Sequence, residues 1–271
     1  MAQPAPVSTV PPRPPRVRRM LVLQYLLVIG LIAITIIAWF SMDLPTFQRV
    51  VRGFQTSLMR VINGLLNPDW EILPLAWRSM LETLFMAILG TFLGAVLAFP
   101  LSFFGARNLL GSNAASLPGK TVLVGIRTFP EILLALIFVA AAGPGPTAGI
   151  MAMGIHSIGF LGKVFADVIE GIDPGPSEAI RASGGNQVQV FLFAVVPQVI
   201  PEVMSLVLYR FEINLRNAAV LGMVGAGGIG LPLIQRIQYR LWDEVATLLF
   251  MMVAFVIVVD AISSFLRRRL V

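Results

Sequence analysis

Between Met20 and Trp39 the sequence runs for twenty residues without one charged side chain. About 20 apolar residues in a helix is the length that crosses the hydrocarbon of a bilayer. Apolar runs of comparable length that do carry a few charges follow, from about Ser79 to Phe103, Thr121 to Ala142, Thr147 to Ile169, from near Val190 onward, and Val245 to Leu266. The fifth is punctuated by Pro197 and Pro201. Charged residues make up only 13% of the chain, against about 25% in soluble domains, so a water-facing surface cannot be covered. In lipid every backbone polar group must be satisfied internally, and runs of this length do that as helices. The expectation is an all-α integral membrane protein with about six transmembrane helices. The first run exceeds the apolar core of a signal peptide, and Trp39 and Phe40 stand where a cleavage site needs small residues. It reads as a retained anchor.

Charge sets the topology. Residues 1–19 are Pro- and Arg-rich and read as a disordered basic cytoplasmic tail, with 20–271 as the transmembrane domain. With the N-terminus inside, the inner segments hold eleven basic residues: Arg13, Arg16, Arg18, Arg19, Arg107, Lys120, Lys163, Arg181, Arg267, Arg268 and Arg269. The outer segments hold six: Arg49, Arg52, Arg60, Arg78, Arg236 and Arg240. That bias places both termini in the cytoplasm. Bases at the ends of apolar runs are topology signals, so no nucleic-acid partner is expected. The absence of cysteine and the single histidine, His156, exclude Cys-based and His-rich metal sites and a thiolate nucleophile, and no metal-binding residue is assigned. Residues 41–76 read as a loop with a short interfacial helix.

Two stretches imitate nucleotide sites. Val224–Gly230, "VGAGGIG", matches the dinucleotide fingerprint. That pattern binds only between a strand and a helix in a βαβ unit, which is missing here. Pro232 should interrupt any helix starting at Gly230, so a flexible or closely packed turn near the outer surface is expected. Ala114–Thr121, "AASLPGKT", resembles a phosphate loop, but Ala114 replaces the first glycine and Pro118 removes an amide donor. Lys120 reads instead as an anchor at the inner end of the third span. No cofactor is assigned to this chain.

Several polar residues lie inside apolar runs. Glu202, Arg210, Glu212 and Arg216 in the fifth span each cost about 2.5–3.5 kcal/mol in lipid, so they must face protein, water or an interface. Arg210, Glu212, Arg216 and Asn217 are the candidates for a translocation path or for internal ion pairs. The ion-pair reading joins Arg210 or Arg216 to Glu212, Glu202 or a second subunit. Spacings of two and six do not put Arg210, Glu212 and Arg216 on one helical face. Arg127 and Glu131 are placed to pair within the third span. His156 reads as a hydrogen-bonded helix residue. Gly90 and Gly94, continued by Ala98, allow close helix approach within the subunit or at a dimer seam.

The polar stretch 170–189 carries the most information. Asp173-Pro174-Gly175-Pro176 is a stiff turn, and Ser177 is placed to cap a short helix with Glu178 in its first turn. Arg181 can pair with Glu178, Gly184-Gly185 ends the helix, and Asn186 can cap the next. The result is a helix–glycine–helix elbow. It resembles the EAA loop of ABC importer permeases: Glu178-Ala179, Gly184 six residues after the Glu, and Pro197 at the closing position. Ile180, Ala194 and Val196 depart from the pattern, apolar for apolar. The likeness covers about Trp77 to Leu266. Through Glu82–Leu109 and Tyr209–Gly230 it is similar to the phosphonate-importer branch.

The resemblance implies a type I, methionine-permease-like permease fold. It also implies a second copy of the chain, two cytoplasmic ATPase subunits that bind ATP and Mg, and an extracytoplasmic phosphonate-binding protein. In that setting Glu178, Ala179, Arg181, Gly184, Gly185 and Pro197 would form the ATPase-coupling loop, and the chain itself would not be an enzyme. The competing readings are a permease for another small solute, such as an amino acid, and a passive channel. An intramembrane enzyme would need a convergent catalytic set that is not visible.

Overall fold

A computed structural model of the chain describes residues 15–41, 47–106 and 113–270. The first fourteen residues of the basic tail, Arg13 among them, and Arg107 lie outside these. The described residues form ten α-helices and no strand. The chain divides into two units, Met1–Met59 and Arg60–Val271.

In the first unit, α1 (Pro15–Ser41) contains the charge-free run, and Pro15–Arg19, assigned to the tail, already form its opening turn. The unit boundary falls inside α2 (Phe47–Leu66). A loop with a short helix was expected there. The alternation in "FQRVVRGFQTSLMRVINGLL" instead sustains twenty residues of amphipathic helix.

The second unit is a bundle whose helices are α3 (Leu73–Gly105), α4 (Asn113–Thr128), α5 (Glu131–Ala142), α6 (Pro146–Glu170), α7 (Pro174–Ala182), α8 (Gln187–Met223), α9 (Gly230–Tyr239) and α10 (Trp242–Leu270). Across the described residues five helices are long and apolar enough to span a membrane, and α4 with α5 makes a sixth when the bent pair is counted as one broken span. That break corrects the straight third span expected from sequence. The axes of α4 and α5 diverge by 77° at Phe129-Pro130. Pro130 lacks an amide hydrogen and pushes Phe129 out of helical backbone, so the run stops and restarts.

Small residues bring the helices together. A Cβ on Gly90 of α3 would lie 2.8 Å from Met153 Cβ of α6, and one on Gly94 would lie 3.1 Å from the Gly154 carbonyl oxygen. The Gly90–Gly94 face therefore packs within the subunit. Ala98 continues it into a cluster with Leu161, Phe165, Val195 and Val199. On the other side of α6, a Cβ on Gly159 would lie 2.6 Å from the Arg127 amide nitrogen, and one on Gly162 equally close to Leu123. Hence α6 is gripped by α3 and α4 along two glycine seams.

Both nucleotide look-alikes resolve into packing. "AASLPGKT" lies in α4, and Lys120 Nζ reaches Glu170 Oε1 of α6 at 2.7 Å. The turn 224–229 holds Gly225, Gly227 and Gly228 at φ of 94°, 83° and 68°, conformations that favour glycine. Two of its amides are satisfied from α3: Gly228 N–H donates to Glu82 Oε1 (3.0 Å) and Ile229 N–H to Thr83 Oγ1 (2.8 Å). The turn is closely packed. Contrary to expectation, α9 does start at Gly230; Pro232 falls in its first turn, where no amide donor is required.

Gly90→Ala should lower the thermal unfolding midpoint of the detergent-purified protein, at a cost of about 1–3 kcal/mol from overpacking. A Cβ added at Gly125 of α4 would meet no atom within 4 Å, so Gly125→Ala should leave the midpoint unchanged or raise it, by up to about 1 kcal/mol.

Candidate functional site

Two regions of the bundle gather the residues singled out by sequence. The elbow joins α6 to α8. Asp173 caps α7, its carboxylate accepting from Gly175 N–H at 2.9 Å, with Pro174 at the first helical position. The cap is thus Asp173 and not Ser177, because the Pro174 ring sets helical φ four residues earlier than expected. At the other end Gly184 N–H donates to the Arg181 carbonyl (3.0 Å) and Gly185 N–H to the Ile180 carbonyl (2.9 Å), with Gly184 at φ 81°. This is a Schellman stop. A reciprocal capping box between Asn186 and Gln189 opens α8.

No residue of α7 is buried, and Glu178, Ala179, Arg181 and Gly184 are exposed. A groove of about 400 Å³ lies beside them, lined by Ala179, Ile180, Ser183, Gly185, Gln189 and Phe193. This nine-residue helix is thus stopped at both ends with no side chain buried. Pro197 lies apart, beyond a π-turn, Phe191–Val195. There Val196 N–H reaches back five residues to the Phe191 carbonyl. Gln198 bridges the two parts. Its Oε1 accepts from Asp173 N–H (3.1 Å), while its Nε2 donates to the Ala194 carbonyl (2.8 Å).

The second region lies midway along the helices. Arg210, Asn214 and Asn217 share one face of α8, at i, i+4 and i+7. Arg210 is 2% exposed. Its Nη2–H donates to Glu131 Oε2 (3.3 Å) and to His156 Nδ1 (2.7 Å), and its Nε–H to Ser157 Oγ (2.9 Å). Asn217 Nδ2 also donates to Glu131 Oε2 (3.0 Å), and Asn214 Nδ2 donates to Thr91 Oγ1 (2.8 Å). Four helices, α3, α5, α6 and α8, are stitched by this network. An arginine can only donate, so His156 receives through Nδ1. Among the described residues, Glu131 Oε1 and Asn214 Oδ1 are the buried side-chain oxygens without a partner.

This arrangement corrects two expected pairings. Arg210 pairs with Glu131, not with Glu212 or Glu202. Glu131 does not pair with Arg127, because the break at Pro130 turns the two apart; Arg127 lies instead over the Phe160 ring, 5.3 Å from its centroid. Glu212 and Arg216 occupy another face of α8. Glu212 Oε1 accepts from Arg267 of α10 at 2.7 Å, and Arg216 lies 3.9 Å from Glu212 Oε2, the ion pair expected from sequence, and 3.4 Å from Asp260. Thr91, Ser157 and Asn214 were not singled out from sequence; the i+4 step from Arg210 to Asn214 was the available signal.

Residues 98–271 match the family of binding-protein-dependent transport system inner membrane components. The chain belongs to that family. It is 39% identical over 212 residues to the phosphite transport system permease protein PtxC of Stutzerimonas stutzeri, covering 78% of this chain and 77% of that one. To the phosphate-import permease protein PhnE of Mycolicibacterium smegmatis it is 41% identical over 187 residues, 69% of this chain and 35% of that one. The fold is similar to the inward-facing MetNI methionine ABC transporter, with a TM-score of 0.64 at 21% identity over 75% of this chain and 99% of that chain. As a permease of this family the chain is a multi-pass inner membrane protein of a transport system. The expected methionine-permease-like, all-helical fold is therefore observed.

Arg210→Met would leave Glu131 buried with a charge and without its main cation. The expected loss of stability is about 3–5 kcal/mol, measured by denaturation in detergent. The double variant Arg210→Met/Glu131→Gln should recover at least half of it.

Proposed function

We propose that this permease is the membrane subunit of an ATP-driven importer for a small phosphorus oxyanion, such as phosphite, phosphate or a phosphonate. The observation that carries the reading is the exposed, doubly stopped α7 in a chain whose curated relatives include phosphite and phosphate permeases. Two copies of the chain would form the pore. Two cytoplasmic ATPase subunits, which bind the ATP and Mg, would grip the elbows, and an extracytoplasmic binding protein would deliver the anion. The termini would then be cytoplasmic, and the chain itself catalyses no reaction.

The coupling route follows from the elbow's own bonds. Glu178, Ala179 and Arg181 offer α7 to a cleft on the ATPase, and Gly184 keeps the stop tight without a side chain in the way. Movement of α7 reaches α8 through Asp173 and Gln198, and enters it beside the π-turn and Pro197, where the helix ladder is least regular. The long helices then switch between inward- and outward-open packings.

A Cβ on Gly184 meets nothing within the chain but forces a side chain into φ 81°, so Gly184→Asp acts on the stop and on any bound partner. In proteoliposomes holding the permease, its ATPase and its binding protein, we expect Gly184→Asp to cut ATP-dependent phosphite or phosphate uptake at least tenfold and to weaken ATPase association. Undiminished uptake and association would overturn the coupling assignment. Uptake of none of phosphite, phosphate and methylphosphonate by the wild-type assembly would overturn the substrate assignment.

A further inference from the structure

Arg210 is poorly placed to meet the cargo, because its guanidinium is buried and occupied. Arg127 is differently placed. This arginine is the penultimate residue of α4, just before the break, and it is exposed. Phe160, beneath its guanidinium, stands fourteen residues from one end of α6 and ten from the other. At about 1.5 Å of rise per residue, that is roughly 21 and 15 Å of helix. Arg127 is thus an exposed cation near the middle of the bundle's length. Among the described residues it has no carboxylate within ion-pair distance, since Glu131 is turned to Arg210 and Asn217.

Its position is fixed by the fold. The absence of a side chain on Gly159 lets the Arg127 backbone sit directly against α6, and Phe160 supplies a face for the guanidinium. Arg210 lies on the same ring, its guanidinium carbon 5.2 Å from the centroid. The local charges are then Arg127 and Arg210 against Glu131. One positive charge is left over, and it is the exposed one. A free cation at this depth is not stable against hydrocarbon. Broken spans, whose backbone loses helical partners, are tolerated where they border a cavity or protein.

We propose that Arg127 lines the aqueous route through the permease and contacts the translocated phosphorus oxyanion, with the Arg210–Glu131 pair as its fixed support. This inference rests on the importer reading above. A guanidinium presents paired N–H donors to two oxyanion oxygens, which suits phosphite, phosphate and phosphonate alike. A single exposed cation, rather than a closed cage, would attract the anion without retaining it.

The test uses the complete importer in proteoliposomes with phosphite and phosphate as probes. Arg127→Gln should lower uptake at least tenfold, with assembly with the ATPase and the thermal midpoint kept, while Arg127→Lys retains more uptake than Arg127→Gln. Because the chain has no cysteine, R127C places its only thiol at this point. A membrane-impermeant, anionic thiol reagent should modify that thiol, and millimolar phosphite should slow the modification at least threefold. Wild-type rates of uptake by Arg127→Gln would overturn the proposal. So would an R127C thiol that reacts only with a lipid-soluble reagent, or one that instead forms a disulfide between two copies. If the wild-type importer carries neither probe, the importer reading fails at the substrate. R127C then still reports whether Arg127 faces water, and an inert thiol rejects the aqueous-route half by itself.

Discussion

The buried contact between Arg210 and Glu131 is the constraint around which the membrane bundle is organised. An arginine 2% exposed cannot be left uncompensated in a low-dielectric interior, and a carboxylate there needs donors on its lone pairs. Glu131 sits in the first turn of α5, Arg210 near the middle of α8, and His156 and Ser157 near the middle of α6. Satisfying one arginine therefore fixes three helices at one level. Asn214 and Thr91 add α3. Apolar packing alone would allow these helices to slide, since one methyl group replaces another with little change in energy. A directed, charge-assisted network does not permit that.

The network also explains the break in the third span. A straight helix through 121–142 would point Glu131 and Arg127 to neighbouring positions on one face, where they would satisfy each other. Pro130 prevents this. By turning α5 away at 77°, it delivers the carboxylate to Arg210 and releases Arg127 from its sequence neighbour. The same proline thus builds the buried pair and leaves Arg127 without a carboxylate partner among the described residues. Glycine seams on both sides of α6 make the geometry reachable, because α3 and α4 must approach α6 closely for Thr91 and Arg127 to reach their places.

Much of this was legible in the sequence. Apolar runs near 20 residues, the first of them charge-free, located the spans, and the punctuation of Asp173–Asn186 located the elbow and its glycine stop, with the cap one turn too late at Ser177 in place of Asp173. The residues that failed to reveal themselves share a physical character. Glu131 and Arg127 obeyed a helical spacing rule that Pro130 suspends. Arg210, Glu212 and Arg216 lie on different faces, as their spacing requires, but spacing does not name the partners, and the neighbours of Arg210 on its own face are uncharged asparagines. Charge is visible in a sequence, whereas the partner that neutralises it lies 79 residues away and on another helix. The turn 224–229 shows the converse. Its glycines looked like a ligand motif because close backbone approach uses the same residue, whether the neighbour is a phosphate or a helix.

The distribution of rigid and yielding parts has a mechanical consequence. The Arg210–Glu131 network is the stiff part of α8, and the π-turn with Pro197 and Pro201 is the part whose ladder is already irregular. Under the coupling proposed above, a displacement of α7 would enter α8 through Gln198, on the yielding side, about eighteen Å of helix from Arg210 at roughly 1.5 Å per residue. The lower part of α8 could bend there without breaking a buried ion pair. Whatever rotation survived the bend would arrive at Arg210 and be passed as a unit to Glu131 and thus to α5, which hangs on the second yielding point at Phe129-Pro130. The two soft joints lie on either side of one hard clamp. That order would let an exposed elbow tilt α8 and α5 together while Arg210 and Glu131 keep each other as partners.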